Sequence, residues 1–225
     1  MADIFHDIED GLRQDRLKKL WRRSRWPILG LVLAIVAAVV AFVLVRDATE
    51  TRQLEQASKF FSAIETLERG DKITAGDMFT SLADSAEDKG YATFSRLRSA
   101  QSYVANGDIQ SAVAIYDGIA GNGSIDPLYR DLSVYLAADL LIDSASFKEV
   151  NQRLSSIMID SNVWKPMAQE TLGIAAYKAG QTDKAKEIFL SLSKEQTVPP
   201  GVKDRAIKLL ATLSKDNMSS QVTQD

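Results

Sequence analysis

The residue types that most often carry out catalysis are scarce in this chain. Histidine occurs once, at His6, and cysteine does not occur. A lone histidine in a short N-terminal segment has no partners for a Ser-His-Asp arrangement, and without thiols there are no cysteine nucleophiles, disulfides or thiolate metal sites. We interpret His6 as a solvated tail residue. The sequence predicts a protein that is not an enzyme, with no catalytic residues, no metal ligands and no cofactor.

The segment Gly121-Asn122-Gly123-Ser124 superficially resembles a phosphate-binding loop. It lacks the lysine that reaches the phosphates, and it follows a predicted helix, whereas a P-loop follows a strand. We interpret it as a turn between helices. The sequence therefore predicts no small-molecule substrate.

A long apolar segment near the N-terminus predicts a membrane anchor. Residues 27–45 carry no charge over nineteen positions, and a helix of that length measures about 28 Å, close to the roughly 30 Å hydrocarbon core of a bilayer. Trp26 precedes it, where aromatic rings favour the headgroup layer. Because cations stay on the cytoplasmic side, the preceding basic residues set the topology: Arg13, Arg16, Lys18, Lys19, Arg22, Arg23 and Arg25.

Two other interpretations of this segment compete with an uncleaved anchor. A cleavable signal peptide has a shorter apolar stretch, about 7–15 residues, before a small-residue cleavage site, and residues 45–49 offer no clean site. A core helix would carry a polar face, and none interrupts the run. We therefore predict a basic tail at 1–25, a transmembrane helix at 26–46 and a domain at 47–213 across the membrane from the tail, followed by a disordered tail at 214–225.

The domain beyond the anchor is mildly acidic. The chain has 27 basic and 30 acidic residues, and residues 46–225 hold 20 and 25 of them, a net charge of −5. Such a domain lacks the basic footprint of nucleic-acid binding. The basic tail is better explained by membrane topology and by anionic lipid. We expect no nucleic-acid partner.

The domain consists of helical repeats. Leu and Ala recur at three- and four-residue spacing, and Gly or Pro falls between the periodic segments, including at Gly70, Gly90, Gly107 and Gly180. The clearest unit, 172–192, fits the 34-residue tetratricopeptide helix–turn–helix pattern. Weaker copies, of which the third is the most degenerate, put the small residue of the second helix at Ala75, Ala112, Val150 and Ala185.

This pattern predicts an all-α fold, an α-solenoid of about four TPR-like hairpins with a C-terminal capping helix at Val202–Leu213. We expect Asp47–Arg69 to continue the membrane helix into the first repeat. Terminal repeats need a polar outer face, which the last helix could supply from Lys203, Asp204, Arg205 and Lys208.

The first helices of such repeats line a groove, which is the candidate site for a protein partner. The predicted groove residues are Phe60, Ile64, Leu67, Phe94, Leu97, Leu132, Tyr135, Met167, Ile174 and Tyr177. The same frame places the polar residues Gln101, Asp139 and Glu170 facing the groove. Neighbouring helices could instead cover most of these apolar positions, since an amphipathic helix normally buries its apolar face in its own domain. Trp164 is interpreted as packing the junction between repeats rather than anchoring a partner.

The whole arrangement resembles the YfgM-like bacterial proteins, described as ancillary subunits of the SecYEG translocon. The resemblance rests on residues 15–23 before the span, on 9–16, on Pro127–Leu132 and on Pro200–Ala206. It implies a single-pass bacterial inner-membrane protein with a cytoplasmic N-terminus and a periplasmic TPR-like domain. It also implies association with the translocon and with periplasmic chaperones, and it carries no catalytic residues.

The expected function is therefore that of a non-catalytic inner-membrane adaptor. Its partners would be the bilayer and proteins: translocon subunits, a periplasmic chaperone or an exported chain. The alternative is a self-associating envelope or cell-division scaffold, in which the span and the helix at 47–69 form oligomers. The span contains Gly30 but no Gly-x-x-x-Gly motif, which argues mildly against tight helix dimers.

Overall fold

The computed structural model describes the backbone of residues 3–222 and the side chains of residues 31, 33–46 and 51–214. Every secondary-structure element in this described range is a helix, which confirms the predicted all-α class. The chain divides into two compact units, Met1–Ala57 and Ser58–Asp225. The boundary falls within the first helix, α1 (Asp3–Glu68).

The described part of the first unit is the N-terminal portion of α1. Its large apolar side chains between residues 31 and 45 are exposed, from 47 % at Val43 to 68 % at Phe42. Within the described part of the chain, no helix offers an apolar stretch of sufficient length for a membrane crossing. The predicted span at 26–46 lies partly outside the residues with described side chains, and the predicted topology-setting cations lie wholly outside them.

The second unit is an α-solenoid in which consecutive helices pair. The end of α1 packs on α2, the next six helices form three further hairpins, and α9 packs on α7 and α8. This confirms four TPR-like hairpins followed by a final helix. The helix bounds are α2 Lys72–Ser85, α3 Lys89–Ala105, α4 Ile109–Ala120, α5 Pro127–Leu140, α6 Phe147–Leu154, α7 Lys165–Lys178, α8 Thr182–Lys194 and α9 Pro200–Val222.

A small residue occupies the same place in the second helix of each hairpin. Ala75, Ala112, Val150 and Ala185 are each at most 1 % exposed, which confirms the predicted repeat spacing. A small side chain lets paired helices approach closely, and one turn further on a large residue fills the core: Phe79, Tyr116, Leu154 and Phe189.

Three of the four hairpins use the same turn. Gly70, Gly107 and Gly180 have φ angles of 93°, 83° and 74°, a conformation that glycine adopts without a Cβ clash. In the first two turns the next residue, Asp71 or Asp108, caps the second helix by accepting a hydrogen bond from the backbone N–H three residues on. Such caps satisfy helix donors that have no intrahelical partner.

The third hairpin departs from this pattern, as its degenerate sequence indicates. Its connection contains no positive-φ residue. Ser146 instead begins α6 with a capping box: its hydroxyl accepts from the Glu149 backbone N–H, and the Glu149 carboxylate accepts from the Ser146 N–H at 2.8 Å. Helix α6 has only eight residues before a short 3-10 turn, Ser155–Ile157.

Two helix boundaries differ from the prediction. The sequence places a break at Gly90, but α3 begins at Lys89, because the Asp88 side chain caps it by accepting from the Tyr91 N–H at 2.7 Å. The last helix is predicted over Val202–Leu213 and the tail from residue 214. The described backbone is helical from Pro200 to Val222. Proline suits the first helical turn, where its missing N–H would have no intrahelical partner.

Candidate functional site

The first helices of successive hairpins lie side by side. Helix α5 contacts α7, and α7 contacts α9. Ring contacts also join the end of α1 to α3, and α3 to α5. We call the surface formed by the end of α1, by α3, α5 and α7, and by α9 the first-helix face. It carries the predicted groove residues.

Aromatic pairs close the first three junctions between hairpins on this face. The ring-centroid separations are 5.6 Å for Phe60–Tyr91, 5.6 Å for Phe94–Tyr129 and 6.3 Å for Tyr135–Trp164. Pairs of this kind contribute about 0.5–1.5 kcal/mol beyond the area that they bury. Each pair therefore ties one hairpin to the next.

Trp164 lies at the third junction, immediately before α7. Its ring stacks on Tyr135 with an interplanar angle of 7°, and its Nε1–H donates to the Leu128 carbonyl oxygen at 3.0 Å. Because both the ring and the indole N–H are engaged within the domain, the interpretation of Trp164 as a junction residue is confirmed.

An ion pair joins α7 to α9 at the last junction. Arg205 donates from Nε and Nη2 to the two carboxylate oxygens of Glu170, both at 2.6 Å. The Glu170 side chain is 9 % exposed and that of Arg205 is 54 % exposed. The hydrogen bonds to Glu170 raise the pKa of Arg205, in spite of partial desolvation. Arg205 is exposed, as predicted for a polar face of the last helix, and its guanidinium group also pairs with a carboxylate on α7, which the sequence did not predict.

Tyr135 lies beside this ion pair. Burial, followed by the nearby carboxylates of Asp139 and Glu170, raises the pKa of the Tyr135 hydroxyl above its ordinary value. One turn further along α5, Asp139 Oδ1 accepts a hydrogen bond from Thr171 Oγ1 on α7 at 2.9 Å. The third and fourth hairpins are thus joined by polar contacts as well as by rings.

The structure places the ten predicted groove residues in three environments. Leu97 is buried in the core of the second hairpin, 8 % exposed. Phe94 and Tyr177 are exposed, at 51 % and 41 %. The other seven are half-buried: Phe60, Ile64, Leu67, Leu132, Tyr135, Met167 and Ile174. Neighbouring helices therefore cover much of the predicted apolar set. Fewer residues are open to a partner than the sequence predicts.

A cleft of about 260 Å³ opens on the first-helix face between α3 and α5. Its walls are mostly apolar, and the Tyr116 side chain on α4 contributes to its lining. The lining residues are Gln101, Val104, Ala105, Tyr116, Leu136, Asp139 and Leu140. The sequence frame places Gln101 and Asp139 among the positions that face the groove, but it did not predict that they line a cleft.

A larger cleft, about 630 Å³, lies on another surface, between the second and third hairpins beside α6. Its lining mixes apolar and polar side chains, among them Gln110, Glu149 and Arg153. Arg153 forms an ion pair with Asp117 on α4, and Glu149 belongs to the α6 capping box. Both charged groups in its lining therefore serve contacts that hold the domain together.

The segments considered for chemistry have structural roles or lie outside the described residues. Gly121 to Ser124 form the connection between α4 and α5, where the Ser124 N–H and hydroxyl donate to Asn122 Oδ1 at 3.0 and 2.9 Å. This confirms that the segment is a turn between two helices. Across the described residues, no three or more His, Asp or Glu side chains are placed to hold a metal ion. His6 lies outside the described side chains.

Comparisons with known proteins agree with this architecture. Residues 18–197 match the family described as the Tetratricopeptide repeat-like domain, so the chain belongs to that family. Two solved structures of a Podosopora anserina protein named for kinesin light chain, with nearly identical TPR-like repeats, share the fold. One of them, a substituted variant, has a TM-score of 0.52, and the other has a TM-score of 0.51. Each is 16 % identical and covers 75 % of this chain and 89 % of its own. No curated protein matches the chain.

Membership of this family defines the class of protein. Repeat solenoids stack helical hairpins and present extended surfaces to protein partners. The fold is typically that of a non-catalytic interaction scaffold.

Proposed function

We propose that the protein is an adaptor that binds a protein partner on its first-helix face. The observation that carries this proposal is Phe94, a residue that is 51 % exposed on the same helix that forms one wall of the apolar cleft. Aromatic anchors beside desolvated pockets supply most of the binding energy in many protein interfaces. Phe94 would be such an anchor.

The proposal extends to membrane attachment. Residues 26–46 would anchor the adaptor in a bacterial inner membrane, with 1–25 in the cytoplasm and 47–213 in the periplasm. The support is the uncharged run at 27–45, the basic cluster before it and the exposure of the described apolar side chains in that run. Confinement to one membrane raises the effective concentration of a membrane-bound partner, so that a small interaction surface suffices.

The proposed partners are translocon subunits and a periplasmic chaperone. Their support is the resemblance of nearly the whole chain to the YfgM-like proteins. In this proposal the protein is an accessory component that links the Sec translocon to chaperones on the periplasmic side.

Co-purification from mildly solubilised native membranes tests the proposal. We would compare the full-length protein with Phe94→Ala and with Leu190→Ala, a matched loss of a 45 % exposed apolar side chain on α8. We expect translocon subunits or a periplasmic chaperone with the unaltered protein and with Leu190→Ala. Loss of a hot-spot aromatic weakens binding by about tenfold or more, and recovery with Phe94→Ala should fall accordingly.

Two outcomes would count against the proposal in different ways. Equal recovery of partner proteins with both variants would rule out the first-helix face as the binding surface. Recovery of the protein alone, at a mass above one subunit, would favour the self-associating scaffold over the adaptor.

A further inference from the structure

The cleft between α3 and α5 combines apolar walls with a single charge. Val104 on α3 and Leu136 and Leu140 on α5 supply much of its apolar lining. Among its lining residues Asp139 alone carries a charge, and this side chain is exposed. The volume of about 260 Å³ is below the roughly 300–1,000 Å³ typical of small-molecule sites. The cleft thus suits one side chain of a partner better than a free ligand.

Asp139 has no direct ion-pair partner among the described residues, although it lies near enough to Arg205 to contribute to the raised pKa of that guanidinium group. Its Oδ1 accepts one hydrogen bond, from the neutral Thr171 hydroxyl, and none of the ion pairs of the described residues includes it.

Three basic residues, on α3, α7 and α9, have other direct partners. Arg98 donates to Gln101 Oε1 at 3.0 Å, Lys178 pairs with Asp143, and Arg205 pairs with Glu170. Arg205 thus faces two carboxylates, those of Glu170 and Asp139, and pairs directly with Glu170 only, so one negative charge at Asp139 is left for a cation that arrives from outside.

We infer that this cleft receives a lysine or arginine side chain of the bound partner. Long basic side chains place their aliphatic stems along apolar surface while the charged head stays at the edge. The stem would lie along Val104, Leu136 and Leu140, and the head would meet the Asp139 carboxylate. The inference rests on the proposed function, because it names the chemistry of the segment that the first-helix face binds.

The position of Phe94 adds a spacing requirement. Phe94 and Gln101 lie seven residues apart on α3, which is two helical turns, so both fall on one face about 10 Å apart. The partner segment is therefore basic and apolar, with an apolar side chain on Phe94 and a lysine or arginine about 10 Å from it. An acidic or uncharged polar segment does not fit.

A pair of peptides tests this inference on the full-length protein in mild detergent. Both are acetylated and amidated leucine–alanine peptides. One has a central lysine, and the other has norleucine there, which keeps an aliphatic stem but removes the charge. Binding is measured by fluorescence anisotropy with the unaltered protein, with Asp139→Asn and with Glu187→Gln. Asp139→Asn retains an acceptor for Thr171, and Glu187→Gln removes an equal charge from an exposed position on α8.

Because Asp139 is exposed, its pair with a lysine predicts that the unaltered protein binds the lysine peptide about two- to fivefold more tightly than the norleucine peptide. Asp139→Asn should abolish this preference, Glu187→Gln should keep it, and added salt should reduce it. If both peptides bind equally, and Phe94→Ala weakens the binding of both, the inference that the cleft receives a cation is overturned. The adaptor proposal would still stand. Binding of neither peptide would also overturn the inference, while the membrane co-purification would decide the adaptor proposal separately.

Discussion

At the residue scale, the fourth hairpin depends on a missing side chain. A Cβ on Gly173 would lie 2.6 Å from Cε1 and 2.8 Å from Cζ of the buried Phe189 ring. These separations are too short for carbon atoms in contact, so the ring or the helix must move. Because overpacking a core costs typically about 1–3 kcal/mol, we expect Gly173→Ala to lower the free energy of unfolding by that amount, as measured by denaturant unfolding.

Gly118 provides the matched control. It also lies inside a helix, α4, but a Cβ there would meet nothing within 4 Å. Alanine is favoured over glycine in a helix interior by roughly 0.5–1 kcal/mol, so Gly118→Ala should raise the free energy of unfolding slightly. If both substitutions stabilised the protein, the close approach of α7 to Phe189 would not exist in solution.

Residue environments were only partly predictable from the sequence. Phe94 and Leu97 are three residues apart on α3 and share a predicted face, yet one is exposed and the other is buried. Their difference comes from the helices packed around α3, which local periodicity does not encode. The Arg205–Glu170 pair spans 35 residues of sequence. Such a contact depends on how α9 docks on α7, and a basic residue on a last helix gives no local sign of it.

At the scale of single elements, the start of α8 lacks a cap that its counterparts have. Gln181 follows Gly180 as Asp108 follows Gly107, with similar backbone angles: φ −85° and ψ 60° against φ −84° and ψ 75°. The Gln181 side chain makes no capping hydrogen bond, whereas Asp108 accepts from the Ser111 N–H. Since a capping side chain contributes typically about 1 kcal/mol, Gln181→Asp should raise the free energy of unfolding by about that amount.

The control for this change is Gln181→Ala, which removes the side chain without supplying an acceptor. Thermal or denaturant unfolding of both variants distinguishes stabilisation by a cap from a turn that accepts different side chains at position 181 with equal stability. Equal stability of the aspartate and alanine variants would show that the turn of the fourth hairpin is not equivalent to that of the second.

The helices and turns were easier to predict from the sequence than the candidate site. Each glycine turn and each small residue of a second helix acts over a few neighbouring positions, so Gly70, Gly107 and Gly180 locate the hairpins directly. The third hairpin lacks such a glycine, and its shorter α6 accounts for the weak copy in the sequence. The cleft between α3 and α5 was not predicted as such, because its size depends on how closely helices of two different repeats pack.

At the scale of the whole molecule, the junctions of the repeat domain differ in chemistry along the stack. Rings close the first three, and a partly exposed ion pair closes the last. In a solenoid each repeat contacts mainly its neighbours, so stability is nearly a sum of repeat and junction contributions. Phe94 belongs to the second of these junctions through its contact with Tyr129, and its exposed part and the cleft remain open to a partner.

The most direct test of the central claim is site-specific photo-crosslinking in native membranes. A photoreactive phenylalanine analogue would replace Phe94 in one form of the protein and Leu190 in another. If the first-helix face binds a protein partner, position 94 yields a discrete adduct with another protein and position 190 does not. The absence of an adduct from position 94, or the same adducts from both positions, would contradict the adaptor surface described above.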